Sequence, residues 1–385
     1  MSTLQAPSTF AKGLEGVVAA ETRMSFIDGE KGVLEYVGIP IDDLARNSTF
    51  EETVFLLWNC RLPKKGELAE FSTQLRSRYA LPGDFRKRIL EMPKNAQPMH
   101  VLRTAVSSLA LYDSNPNAID VPAARDKALN ILAQTPTIVA WYDRHRRGLP
   151  LVEPRSDLSF AQNFLYMLNG EMPTETMVRA FDVCMILHAD HGLNNSTFTA
   201  RVIISTLSDM YSAITGAIGS LRGPLHGGAN EEVMEMLAEI PTLADVEPYV
   251  MDKLKRRHEG ARIMGFGHRV YKAYDPRATF LKTLAKQLAA DTGNQALYEK
   301  SSRIEEIMKR EVAAKGIYPN VDFYSATTYH SIGLKLDLFT PMFAMSRISG
   351  WAGHCIEQLS DNRLFRPKAN YIGPHAVAYV PMDKR

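Results

Sequence analysis

Hydrophobic positions change their spacing once along this chain, near residue 45. Residues 13–41 are rich in glycine and β-branched side chains. The run VLEYVGIPI (33–41) predicts a short strand pair, and DGEKG (28–32) offers a turn. Beyond that point the apolar positions recur at helical spacing. NSTFEETVFLLWN opens with Ser48 or Thr49 as a cap, followed by Glu51, Glu52 and an apolar stripe. The next segment sets Leu68, Phe71 and Leu75 on one face and ends before Pro82. Further helices are predicted over 99–111, 121–144, 157–168, 174–189, 197–218, 228–239, 244–258, 276–290, 292–314, 321–333 and 338–359. Strand-like alternation is rare after residue 45, so the expected fold is mainly α. No fixed-period repeat is present, which disfavours a solenoid.

Two glycine-rich interruptions, GSLRGPLHGGANE (219–231) and MGFGHRVYKAYDPRA (264–278), bracket a charged stretch at 251–262. They suggest a smaller domain over 222–331, inserted in a large domain made of 1–221 and 332–385. Composition narrows the class. Of 385 residues, 45% are hydrophobic and the formal net charge is +2, which excludes a disordered chain and argues against an extended polyanion-binding surface. Nucleic acid is therefore not an expected partner. Cys60, Cys184 and Cys355 are too far apart in sequence for a disulfide framework or a cysteine metal knuckle. The first dozen residues lack the apolar core of a signal peptide, and no run of about 18 apolar residues suggests a membrane span. The expectation is a soluble, cytoplasmic protein.

Four histidine- or acid-bearing segments carry candidate chemistry. In LHADHGLNNST, His191 follows an apolar helix and precedes the helix breaker Gly192. It suits proton handling, helix capping or, less well, metal binding, since HxxH alone is a weak zinc pattern. In RGPLHGGANEE, His226 sits among glycines before a helix. It is either a turn residue or a neutral donor to a carbonyl oxygen that gains charge. In GFGHRVYKAYDPRA, His268, Arg269, Lys272 and Arg277 form a solvated basic loop or a site for carboxylates or phosphates. The segment has neither the P-loop spacing nor the dinucleotide fingerprint. In YPNVDFYSATTYH, Asp322 is a helix cap, a base tuned by apolar surroundings, or both. Arg347 lies in a helix of small and apolar residues, where a charge needs a partner or a ligand. Arg366 precedes Pro367 in a loop, as an ion-pair residue or a ligand.

These segments, taken in order with GLEGVVAAETRMSFIDGEKG and SGWAGHCIEQLSDNRLFRP, resemble the citrate synthase family in its type I bacterial dimeric form. The sibling 2-methylcitrate synthases share much of the pattern, while GPLHGGANE and GFGHRVYKAYDPRA look more like the citrate enzymes. The resemblance implies a mainly α fold with a large and a small helical domain and a cleft between them. It implies an acyltransferase that condenses acetyl-CoA with oxaloacetate in a homodimer. His191, His226 and Asp322 would be catalytic. His191, His268, Arg277, Arg347 and Arg366 would bind oxaloacetate, Arg366 from the partner subunit. Arg262, Ile263, Met264, Gly265, Phe266, Gly267 and Lys272 would receive coenzyme A. Coenzyme A is then a cosubstrate, with no permanent cofactor and no metal. All three catalytic positions are filled, which weighs against a non-catalytic CoA-binding homologue. Lys272 stands where relatives often carry Arg, and Gly192 where many carry Glu. The short segment before GLEGV implies a dimer without the regulatory extension of longer Gram-negative relatives.

Overall fold

A computed structural model describes residues 10–268 and 270–385. Its strands are β1 (Ser25–Asp28), β2 (Val33–Tyr36) and β3 (Ile39–Pro40), an antiparallel sheet in that order. The β1–β2 register pairs Phe26 with Glu35 and Ile27 with Leu34. The DGEKG turn thus joins β1 to β2, one strand earlier than the pair expected within 33–41. Sixteen α-helices follow among the described residues. The first eight are α1 (Ile41–Asn47), α2 (Phe50–Asn59), α3 (Lys65–Arg76), α4 (Phe85–Glu91), α5 (Pro98–Leu109), α6 (Val121–Arg146), α7 (Phe160–Asn169) and α8 (Glu175–His188). Then come α9 (Asn195–Ile204), α10 (Met210–Leu221), α11 (Ala229–Ala238), α12 (Val246–Lys255), α13 (Pro276–Thr292), α14 (Gln295–Val312), α15 (Val321–Ser331) and α16 (Phe339–Ser360). The chain is mainly α, as its periodicity predicts.

Short polar side chains start many of these helices. Thr49, Asp120, Ser159, Thr174, Asn194, Asp209, Asp275 and Asn320 each accept a backbone N–H of the first turn. Such a cap is worth about 1 kcal/mol over alanine. The predicted helix over 197–218 is two helices. Leu207 takes a left-handed φ of 64°, which breaks the first, and Asp209 caps the second.

α16 organises one body of helices. It packs against α2, α6, α8, α9 and α10, and all but four of its residues are buried. A helix apolar on every side belongs inside a core. Trp351, Met345 and Ile348 fill space there, while Ser346, Ser349 and Gly350 let neighbouring backbones approach. α11, α13 and α14 pack against α15, and α12 packs against α14. α13 also meets α1 and α8. The β1–β2 turn docks on the loop before α13: the Lys272 N–H donates to the Gly29 carbonyl at 2.9 Å. A Cβ at Gly29 would stand 2.2 Å from the Val270 carbonyl oxygen, so that approach requires glycine.

Candidate active site

The segment after α8 is held from several sides. Arg347 Nε donates to the His188 carbonyl at 2.6 Å. The Gly350 N–H donates to the Ala189 carbonyl at 3.1 Å, where a Cβ on residue 350 would lie 2.3 Å from that oxygen. Tyr36 Oη accepts from the Asp190 N–H at 3.1 Å and donates to the Asp190 carbonyl at 2.8 Å. Asp190 Oδ2 accepts from Ser25 Oγ at 2.6 Å and from the Gly192 N–H at 3.1 Å. His354 Nε2 lies 3.2 Å from Asp190 Oδ1. Burial pushes the Asp190 carboxyl up, but His354, Ser25 and Arg347 outweigh it and hold the group below its ordinary value.

This frame presents His191. Its Nε2 is 3.1 Å from Tyr271 Oη, and its ring centroid is 5.3 Å from that of His268. Burial, then Arg277, the neighbouring His268 ring and Arg347, drive the His191 pKa well below the usual range. His191 is therefore a neutral imidazole at physiological pH. His268 is pushed down to about 4, by burial first and Arg277 second. Its Nδ1 accepts from the Val270 and Tyr271 N–H groups at 3.0 and 3.1 Å, so its ring proton sits on Nε2.

Two buried guanidiniums adjoin these rings. Arg277 forks onto Asp275, with Nε to Oδ1 at 3.0 Å and Nη2 to Oδ2 at 2.8 Å, and lies 5.8 Å from the Tyr271 ring centre. Arg347 lies 4.6 Å from the centre of the Phe343 ring. Among the described residues it forms no carboxylate ion pair, and burial pushes it down to about 10. Asp190 and Asp322 bear on it only at a distance, and a buried guanidinium with no carboxylate in direct contact favours an anionic ligand.

Asp322 is the second residue of α15, two past the cap position. Asn320 is the cap, and its Oδ1 accepts the Asp322 N–H at 3.0 Å. The Asp322 carboxyl is raised to about 6, by burial first, against the lowering effect of Arg277 and Arg347. Asp275 and Glu232 add to the rise. The loop over 262–267 is pinned to the same helix start. The Asn320 N–H donates to the Gly265 carbonyl at 2.9 Å, and Asn320 Nδ2 donates to the Gly267 carbonyl at 2.9 Å. Phe266 meets Phe323 edge to face at 4.7 Å. Ile263 is buried, the Met264 N–H points to Met236 Sδ at 3.3 Å, and Arg262 and Lys272 are exposed. Arg269 lies outside the described residues.

His226 meets the first turn of α9, the helix that His191 leads into. Its Nε2 accepts from the Ser196 N–H at 3.2 Å and lies 2.7 Å from Ser196 Oγ, which in turn accepts from Trp351 Nε1 at 3.0 Å. With Nε2 an acceptor, the proton of the neutral ring is on Nδ1. Arg366 makes none of the contacts just described. It is exposed, donates to the Pro367 carbonyl at 3.4 Å, and borders a cavity of about 1600 Å³ with Leu14, Val18, Phe198 and Leu364. That cavity is lined by neither His191 nor Asp322.

Tyr271, Asp275 and Ser196 were not singled out by the sequence. Asp275 before Pro276 carries a cap signature that gives away its local role. The partners of Tyr271 and Ser196 are distant in sequence, and no local pattern marks them. Among the described residues no three His, Cys, Asp or Glu side chains group as a metal site, and no helix is long and apolar enough to cross a membrane.

The helical fold and the relatives that share it define a class, an enzyme of the acyltransferase type. The family model described as "Citrate synthase, C-terminal domain" matches residues 13–368. The chain belongs to the citrate synthase family. It is 51% identical to citrate synthase 2 of Bacillus subtilis, over 98% of this chain and all of that one. It is 44% identical to a 2-methylcitrate synthase of Mycobacterium tuberculosis, over 96% of this chain and 92% of that one. Among solved structures it superposes on citrate synthase of Thermoplasma acidophilum in ternary complex with carboxymethyl coenzyme A and oxaloacetate. The TM-score is 0.91 at 35% identity, over 98% of this chain and 99% of that one.

Proposed function

We propose that the protein condenses acetyl-CoA with oxaloacetate and water, giving citrate and coenzyme A. The observation that carries this is Arg347, buried without a carboxylate partner beside neutral His191 and within the electrostatic reach of Asp322. Arg277, Arg347 and His268 bind the dicarboxylate. Asp322 removes a proton from the acetyl methyl group, while the Nδ1–H of His226 donates to the thioester oxygen as it becomes enolic. The new carbon nucleophile attacks the oxaloacetate ketone, and His191 gives the proton that the forming alkoxide takes up. Water then cleaves the citryl thioester, and coenzyme A leaves as the thiol. Each donor aimed at a developing negative charge contributes on the order of 3 kcal/mol of preferential transition-state binding. Coenzyme A is a cosubstrate received by the loop over 262–267 and by Lys272.

The smaller domain, 222–331, would rotate on the body formed by 1–221 and 332–385 to exclude water before the carbon–carbon bond forms. The working unit is a homodimer in which Arg366 reaches the partner's site. In support, Arg366 is exposed, and Tyr371, Ile372, Tyr379 and Met382 beyond it are exposed apolar residues.

The decisive assay follows thiol release from acetyl-CoA and from propionyl-CoA with oxaloacetate. A higher specificity constant for acetyl-CoA is expected. The kinship to a 2-methylcitrate synthase at 44% identity favours one alternative, condensation of propionyl-CoA. One methylene shifts such a preference by only about 1–3 kcal/mol. A several-fold advantage for propionyl-CoA would replace the first assignment with the second.

A further inference from the structure

Asp275 is the most heavily used carboxylate near the site. Its side chain is 1% exposed, and its two oxygens take four N–H groups. Oδ1 accepts from the Arg277 backbone N–H at 3.0 Å and from Arg277 Nε at 3.0 Å. Oδ2 accepts from Arg277 Nη2 at 2.8 Å and from the Val321 N–H at 3.1 Å. Arg277 is in the first turn of α13. Val321 opens α15, and Asp322 follows it directly. One buried carboxylate therefore clamps together the starts of two helices that are distant in sequence.

We propose that Asp275 is a positioning residue that couples oxaloacetate binding at Arg277 to proton removal at Asp322. The coupling rests on the roles proposed above for those two residues.

Geometry supplies the first half of the argument. A guanidinium has five N–H groups in a fixed plane. Asp275 occupies one on Nε and one on Nη2, along a single edge. The remaining donors then face away from Asp275, in the fork that suits a substrate carboxylate. The Asp275–Val321 bond ties that fork to the helix start that carries Asp322, so the distance between electrophile and base is set by one side chain.

Charge supplies the second half. The groups that bear on Asp322 are Arg277 and Asp275 at the start of α13, Arg347 on α16 and Glu232 on α11. Arg277 and Arg347 lower the Asp322 pKa, while Asp275 and Glu232 raise it. Asp275 also offsets much of the charge on Arg277. Removing its charge strips away a like-charge neighbour and unmasks the guanidinium, and both changes lower the Asp322 pKa. A base with a lower pKa stays ionised to lower pH, so the acid limb of the rate profile moves down.

Asp275→Asn and Asp275→Glu in the full chain test this. Each is checked for folding by circular dichroism, for oxaloacetate binding by calorimetry, and for the pH dependence of kcat/KM with acetyl-CoA. Asp275→Asn should weaken oxaloacetate binding about tenfold or more and shift the acid limb down by about half a pH unit or more. Asp275→Glu keeps the charge but moves it by a methylene. It should restore the acid limb while oxaloacetate binding stays weakened. A folded Asp275→Asn protein with unchanged oxaloacetate affinity and an unmoved acid limb overturns the proposal, and so does one that only loses kcat. If Asp275→Asn does not fold, unchanged oxaloacetate affinity in Asp275→Glu overturns it instead. An unsubstituted protein that condenses nothing would defeat the proposed function, and the calorimetric comparison would still read the role of Asp275 at Arg277.

Discussion

At the scale of single residues, Asp322 concentrates the chemistry and its cost. Its carboxyl titrates at about 6, against 3.8 for an ordinary aspartate. As the base it must be ionised, so the rate should fall as pH drops through about 6, and an initial-rate profile checks this. The same shift has a definite sign for stability. Because the folded pKa lies above the unfolded one, the folded state binds more protons between them. This group's contribution therefore diminishes as pH rises through that window, and above it the ionised carboxyl is a net cost. Asp322→Asn should accordingly lower kcat by about 10²–10⁴-fold while raising the melting temperature at neutral pH. A loss of both activity and thermal stability would contradict that account. Asp322 and the histidines stood out in the sequence because each sits in an unusual local setting of glycine, proline or aromatic residues. The role of Asp275 did not, because Val321, its second partner, is 46 positions away. The Tyr271 contact to His191 spans 80 positions and was equally hidden.

At the scale of elements, two short contacts decide whether the site is in place. Asn320 caps α15 and also reaches the Gly267 carbonyl, so one amide joins the base-bearing helix to the loop proposed to receive coenzyme A. Asn320→Ala should cost about 1 kcal/mol of stability and raise KM for acetyl-CoA more than KM for oxaloacetate. Chemical denaturation and steady-state kinetics read the two effects. Gly350 brings α16 against the Ala189 carbonyl, and Gly350→Ala forces a methyl group into that contact. A loss of about 1–3 kcal/mol is expected, with impaired turnover because His191 sits two residues further on. Helix positions were legible where apolar period and a polar cap agree, as at α2 with Thr49, α6 with Asp120 and α8 with Thr174. The break between α9 and α10 was not, since Leu207 interrupts an apolar run with a backbone conformation that its side chain does not announce. β1 was missed for a related reason. A four-residue strand that alternates weakly, SFID, reads like the glycine-rich segment around it.

At the scale of the whole molecule, the proposed dimer makes the sharpest prediction. If Arg366 serves the partner's site, Arg366→Ala and Asp322→Asn homodimers are each impaired, yet a mixed dimer contains one site with both residues intact. Mixing the two variants under subunit exchange should restore activity that neither has alone, and a mixture no better than its components would place Arg366 elsewhere. The position of α16 in the chain carries a consequence in time. Synthesis runs from the N-terminus at about 5–20 residues per second, and early segments begin to fold before late ones exist. α2, α6, α8, α9 and α10 all pack on a helix that ends at Ser360. Until that helix leaves the ribosome, their inner faces have no partner and the His191 segment lacks its Arg347 and Gly350 anchors. The growing chain must therefore shelter apolar surface until α16 has emerged, and a working site can form only after that.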